Sequence, residues 1–302
     1  MKNFSILGVV LIVVLVWGAL TMWDSGKGFA WGWLSFGTNK VDMAESFDAG
    51  RYRNVGIEVG SSDVNVVRGS TDKIEVRLHG KTDKGNAGKI GLKTDSKGDT
   101  LNLGIEKPEG MQLGFRIVSL TMTVELPEKQ WNELKVKAGS GDVEVAEFEG
   151  TSIEAEASSG NVELSASKAK KIALKTGSGD VKASDFKADT VSFDSRSGNV
   201  VLKDGEAELK GETGSGDIRI EMDELLHDTD VSAGSGNVTI GLDREPKSLT
   251  VDYRGKSGDG KIRWKGFDYQ EKDEEGHTIK GAFGSGGTKL KVATGSGNFT
   301  LD

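Results

Sequence analysis

The sequence predicts an all-β fold: a parallel β-solenoid (β-helix) of about 19-residue rungs, with a less regular N-terminal β cap and one transmembrane helix before it. Three observations predict it. A Ser-Gly-Asp/Asn-Val turn recurs with its glycine at Gly141, Gly160, Gly179, Gly198, Gly216, Gly236, Gly258 and Gly297, at spacings of 19, 19, 19, 18, 20, 22 and 39. Apolar and polar residues alternate on both sides of each turn, as in Ile153-Glu154-Ala155-Glu156-Ala157 before Ser158-Ser159-Gly160-Asn161 and Val162-Glu163-Leu164 after it. That is the two-residue period of a half-buried strand. The turn residue itself alternates: Asp142, Asn161, Asp180, Asn199, Asp217, Asn237, Asp259.

A fixed period suits a solenoid better than a sandwich of hairpins, because each rung must return to the same place. Stacked turns would lie about 4.8 Å apart. Like charges directly opposite destabilise a ladder, so interleaved neutral Asn relieves it. Eight to ten rungs would make a rod of roughly 40–50 Å. The last gap is close to two periods, which suggests a degenerate rung around Gly276-His277.

Taken in chain order, residues 1–3 read as a cytoplasmic tip and residues 4–23 as an uncharged transmembrane anchor centred on Val9-Val10-Leu11-Ile12-Val13-Val14-Leu15-Val16. Twenty residues of helix span about 30 Å, the thickness of a bilayer core. Thr21-Met22-Trp23-Asp24 is too bulky for a signal-peptide cleavage site, which favours an uncleaved anchor. Lys2 before the span favours a cytoplasmic N-terminus and an extracytoplasmic remainder, although Lys27 weakens the bias. Residues 24–45 form a juxtamembrane linker. Its Phe29, Trp31, Trp33 and Phe36 suit a membrane–water interface.

Residues 46–130 read as an irregular β region. Val55-Ile57-Val59, Val64-Val66, Ile74-Val76-Leu78, Leu101-Leu103-Ile105 and Leu120-Met122-Val124-Leu126 all alternate with polar residues. Gly60-Ser61-Ser62-Asp63-Val64 looks like an eroded first copy of the repeat. This region is expected to cap the open end, since a terminal rung must not leave a bare edge. Residues 131–302 hold the regular repeats. Pro246 is the single proline after Pro127, as inner strands that donate every ladder hydrogen bond require.

The run Leu126-Pro127-Glu128-Lys129-Gln130-Trp131-Asn132-Glu133-Leu134-Lys135-Val136, followed by Gly139-Ser140-Gly141-Asp142-Val143, resembles a widespread bacterial family of β-strand-repeat proteins regarded as candidate adhesins. The likeness covers about residues 46–302. The single N-terminal span, the lack of cysteine and the length further resemble membrane-anchored members of that family from a cell-envelope stress operon in Bacillus and relatives. The resemblance implies the solenoid architecture and an envelope context. It carries over no functional residues, because the family has no established activity.

The residues themselves point away from chemistry. A net charge of −8 leaves no basic stripe for nucleic acid, and the absence of cysteine excludes disulfides and thiolate metal sites. His79, His227 and His277 are far apart in sequence and in no metal spacing. Gly80-Lys81-Thr82 and Gly255-Lys256-Ser257 echo the end of a phosphate loop but lack the upstream glycine. The loop Gly266 to Gly287, with Asp268, Glu271, Asp273, Glu274, Glu275 and His277, is the one segment that could carry a catalytic carboxylate pair, and it reads as solvated. Calcium at Asp142, Asp180, Asp217 and Asp259 would meet half the charge of a site with Asp in every turn.

No catalytic, cofactor-binding or metal-binding residue is therefore assigned. The expected function is a non-enzymatic, membrane-anchored scaffold or interaction module of the envelope stress response. Its partners would be the membrane, through the anchor, and envelope proteins or cell-wall polymer. An adhesin that grips polysaccharide or another cell is the alternative, and it predicts exposed aromatic rows. Phe148, Phe186 and Phe193 instead read as core, and a polysaccharide-acting β-helix enzyme ranks behind both.

Overall fold

The computed structural model describes residues 38–83, 89–106 and 119–302. The tip, the anchor at 4–23 and the linker up to residue 37 lie outside the described residues. Residues 38–45, read above as linker, are already strand, because the first strand runs Thr38–Asp48. Among the described residues no helix is long and apolar enough to cross a membrane.

Two sheets, of 12 and 13 strands, face each other across one continuous core. Each regular rung places a long strand in one sheet and a short strand in the other. The long strands are Trp131–Ala138, Glu149–Ala157, Lys168–Thr176, Lys187–Ser195, Glu206–Thr213 and Thr229–Ala233. Their short partners are Val143–Ala146, Val162–Ser165, Val181–Ser184, Val200–Lys203, Ile218–Met222 and Val238–Leu242. Rungs pair in parallel and in register, Val143 on Val162 on Val181 on Val200 on Ile218 on Val238. The alternation seen in the sequence thus becomes columns of buried side chains, with the charged residues between them facing water.

Side-chain size is matched between rungs. Phe193 stacks beside Gly211 and Phe186 beside Gly205, where any β-carbon would run into the ring. Phe148, Phe186 and Phe193 are all buried, as the sequence indicated. At the corner opposite the Ser-Gly turns, Glu147, Ala166, Asp185 and Asp204 adopt positive φ of 56°, 46°, 52° and 49°. Residues with a β-carbon avoid that left-handed region, so the corner holds a small strain in each of these four rungs.

Both ends depart from chain order. The eroded repeat at Gly60-Ser61-Ser62-Asp63 is a true rung, with strands Asn54–Val59 and Asp63–Arg68 stacked on the 131–146 rung. On its other side lies a rung that comes later in the chain, Thr100–Glu106 with Ser119–Leu126. Antiparallel strands Thr38–Asp48, Lys73–Asp83 and Gly91–Lys97 then close that end. At the far end, the rung Thr288–Thr294 with Phe299–Leu301 sits between the 229–242 rung and the rung Leu249–Gly255 with Gly260–Ile262.

No rung forms around Gly276-His277. The 39-residue gap instead holds an antiparallel pair, Asp268–Lys272 and Thr278–Phe283, which extends the long-strand sheet past Leu249–Gly255. The pair moves the edge of that sheet outward to Asp268–Lys272, a short, fully exposed strand with three charged residues, which blunts the edge where a regular rung would leave a flat one. The parallel rungs number ten in each sheet, a stack of roughly 43 Å at strand spacing.

Candidate functional site

The most ordered polar feature is the ladder of turn residues along one edge. In spatial order it runs Asp63, Asp142, Asn161, Asp180, Asn199, Asp217, Asn237, Asn298, Asp259. Each Oδ1 accepts from the backbone N–H of the next turn residue, at 2.7–3.0 Å throughout. Aspartate and asparagine both supply that oxygen, which is why either is used. A second ladder lies three residues before the turn glycines. Thr176, Ser195 and Thr213 are buried; each hydroxyl accepts from the glycine N–H of its own turn and donates to the glycine carbonyl of the preceding one. The period of these hydroxyls was visible in the sequence but masked by alanine at Ala138, Ala157 and Ala233.

This arrangement does not suit calcium. The Oδ1 atoms of Asp142, Asp180 and Asp217 are occupied by backbone amides. Asp142, Asp180 and Asp217 stand two rungs apart, roughly 9.6 Å, and Asp259 lies three rungs beyond Asp217, so no two of these four can share one ion. The histidines are not brought together. His79 lies 3.4 Å from the Thr123 hydroxyl, His227 faces Glu206 at 3.8 Å, and His277 lies 3.2 Å from Glu275 and 3.8 Å from Asp259. Among the described residues no group of three His, Asp or Glu is placed to hold a metal.

In the acidic segment 266–287 two of the carboxylates are engaged by structural partners. Glu271 pairs with Lys280 at 2.8 Å, and Asp273 accepts from the Thr278 N–H at 3.1 Å, closing the hairpin turn. Gly80-Lys81-Thr82 lies within the strand Lys73–Asp83, and Gly255-Lys256-Ser257 leads out of a strand into a repeat turn. Neither precedes a helix.

The family-like run around Pro127 proves to be a structural clamp. Lys129 reaches back so that its Nζ donates to the carbonyls of Ala49 and Tyr52, while lying 3.9 Å from the centre of the Trp131 ring. Trp131 is buried and donates through Nε1 to the Pro127 carbonyl at 3.2 Å. Burial pushes the Lys129 pKa down, and the two carbonyls with the ring face compensate its charge. Nothing in the residue pattern points to the partners, which lie 77 and 80 residues away.

The open faces are mosaics of both charge signs. Lys135 meets Glu154 at 2.7 Å, Lys137 meets Glu156 at 2.8 Å and Lys291 meets Asp230 at 2.9 Å, each across neighbouring rungs. A hydrogen bond from Lys137 holds the Glu156 carboxyl below its ordinary value. Depressions are open and shallow, one of about 790 Å³ over Gly56, Asn102 and Gly104 and flanked by Lys93, Lys135 and Lys137. Leu226 (57%) and Tyr269 (44%) are the large apolar side chains exposed among the described residues, and they form no row.

The profile of the Toastrack DUF4097 family matches residues 52–302. The chain belongs to the Toastrack DUF4097 family. No curated protein sequence matches it. Among solved structures, a candidate adhesin from Bacteroides fragilis is 14% identical with a TM-score of 0.50, over 87% of this chain and 97% of that one. A candidate lipid-binding protein from Parabacteroides distasonis is 16% identical with a TM-score of 0.50, again over 87% and 97%. At such identities the likeness is one of fold.

Proposed function

We propose that this chain is a non-enzymatic interaction module: a stiff Toastrack rod held at the outer face of a cell membrane by the apolar segment 4–23, working as a scaffold in the envelope stress response in the manner of LiaG-like members. The observation that carries this reading is the use of the polar groups. The turn carboxylates and amides hold backbone amides, and in the 266–287 segment Asp273 closes a hairpin, Glu271 pairs with Lys280 and Glu275 lies against His277. What remains for function is surface, ten rungs long and patterned in both charge signs. Such a surface favours specificity of partner over strength of binding.

The test is crosslinking and recovery of the full-length protein from its own membrane, with and without cell-wall stress. Recovery of a defined envelope protein through the 38–302 rod is expected. Recovery of cell-wall polymer alone would overturn the scaffold reading in favour of an adhesin. Loss of membrane association on deleting residues 4–23 is expected as well, and retention would overturn the anchor.

A further inference from the structure

The 288–301 rung is out of sequence order, and its surroundings show what that allows. It is flanked by two rungs that both precede it in the chain, 229–242 and 249–262. Those two are joined by residues 243–248, which pass across the inserted rung and contain Pro246. Adding rungs in chain order cannot build this arrangement. In the finished fold the flanking rungs leave between them a slot one rung wide, which the later segment fills.

The slot is specified on both edges. On one side Gly295 N–H donates to the Ala233 carbonyl at 2.9 Å, and Val238 N–H donates to the Asn298 carbonyl at 2.8 Å. On the other, Phe299 N–H donates to the Asp259 carbonyl at 2.9 Å and Lys256 N–H donates to the Thr294 carbonyl at 3.0 Å. Asn298 bridges both halves of the turn ladder, donating from its N–H to Asn237 and accepting from Asp259. Leu290, Val292, Phe299 and Leu301 fill the core, with Phe299 stacked on Tyr253 at 5.0 Å. Every one of these contacts is made by residues after the connection 284–287, so the same contacts form whichever chain supplies the segment.

That connection is Gly284-Ser285-Gly286-Gly287, with φ of 55° at Gly284 and 70° at Gly286. Three glycines in four residues ease a change of backbone path here, and only a few exposed or half-buried polar contacts must open for the segment to swing away: Ser285 Oγ to Ser248 Oγ at 2.9 Å, Thr250 Oγ1 to the Gly286 carbonyl at 3.0 Å and Gly287 N–H to Ser248 Oγ at 2.8 Å. A short hinge beside an independently specified slot is the arrangement that permits exchange of an element between copies.

We propose that the 288–301 rung is an exchangeable insert, and that the slot between the 229–242 and 249–262 rungs is a self-association site. Its occupant in trans is the same segment of a second copy of this chain. Two copies that trade the segment keep every ladder bond and every core contact.

The test mixes two full-length populations, one isotopically heavy, each with a site-specific protease sequence between Gly284 and Gly287. After incubation the hinge is cut, and native mass spectrometry weighs each body together with its bound fragment. Crossed pairs, a light fragment on a heavy body or a heavy fragment on a light body, are expected together to approach half of the total at equal mixing. Excess synthetic peptide spanning residues 288–302 should suppress them, and a scrambled peptide should not. Phe299→Ala should speed the exchange several-fold, whereas Phe193→Ala in the middle of the rod should leave it unchanged. Fragments that stay on their own bodies until the whole rod unfolds would overturn the proposal. Equal effects of the two phenylalanine variants would do the same.

Discussion

From Trp131 to Leu242 each rung rests on the one before it in the chain, whereas at both ends the order in space departs from the order in sequence. In the middle, the hydrogen bond from Asn161 N–H to Asp142 spans 19 residues. The equivalent bonds span 79 residues at one end, Asp142 to Asp63, and 61 at the other, Asn298 to Asn237. Closing a loop of 61 residues rather than 19 costs about 1 kcal/mol more in chain entropy. The difference teaches how this rod is built: a local, self-templating middle and two ends finished by distant segments. Each end is a doubling back, with one rung buried between a neighbour and a terminal rung that hairpin strands then protect.

The largest expected effect separates the two regions outright. A β-carbon on Gly198 would overlap the Gly179 carbonyl, and one on Gly297 would overlap the Gly236 carbonyl. Gly198→Ala should therefore cost about 3 kcal/mol or more and weaken the whole rod, because the clash lies inside the template. Gly297→Ala, with the same local clash, should loosen only the 288–301 rung and its neighbours. Hydrogen exchange followed by mass spectrometry reads both variants, and equal loss of protection over 131–242 would erase the distinction.

A smaller effect tests what the turn ladder needs. Asp180→Ala removes the acceptor for the Asn199 N–H and should cost about 1 kcal/mol. Asp180→Asn keeps the oxygen and should change stability by under about 0.5 kcal/mol. If thermal denaturation shows the two variants alike, charge rather than the acceptor governs the ladder.

The opposite corner should respond with the other sign. Ala166→Gly relieves a positive φ of 46° and is expected to stabilise the rod by about 0.5–1 kcal/mol, unless the freedom gained by the unfolded chain cancels it. Urea denaturation decides that balance.

The smallest effect lies at the 38–83 end. Burial, then the nearby Arg77 and Lys40 charges, push the His79 imidazole below its ordinary value of 6.5, with Asp42 opposing them. Its folded pKa is below its unfolded one, so the fold favours the neutral ring. The contribution is complete above about pH 6.5 and is lost as pH falls toward the folded value. His79→Gln should flatten the acid dependence of exchange in the strand Lys73–Asp83 while leaving the middle rungs untouched.

Much of the middle was legible from residues. The glycine period gave the rung, the strand alternation gave the two inward faces, and the size of Phe148, Phe186 and Phe193 gave their place in the core. Even the eroded turn at Ser61-Ser62-Asp63 announced a rung, since its aspartate takes the same place in the ladder. The Asp/Asn alternation was read correctly along the chain, yet in space it breaks where Asp63 meets Asp142 and Asn237 meets Asn298. The interval around Gly276-His277 misled because distance along a chain cannot tell a rung from a hairpin of equal length. The Lys129 clamp was not legible, because its partners are backbone carbonyls and carry no side-chain signature.

By itself, then, the sequence determined what repeats: the rung, its corner and the residues that face inward, all set by local backbone preference and a two-residue period. Where the rungs go follows from the three-dimensional stacking alone. Any rung presents nearly the same ladder of donors and acceptors, so stacking order is chosen at the ends, by which edges must be hidden from water and which loops are long enough to reach them.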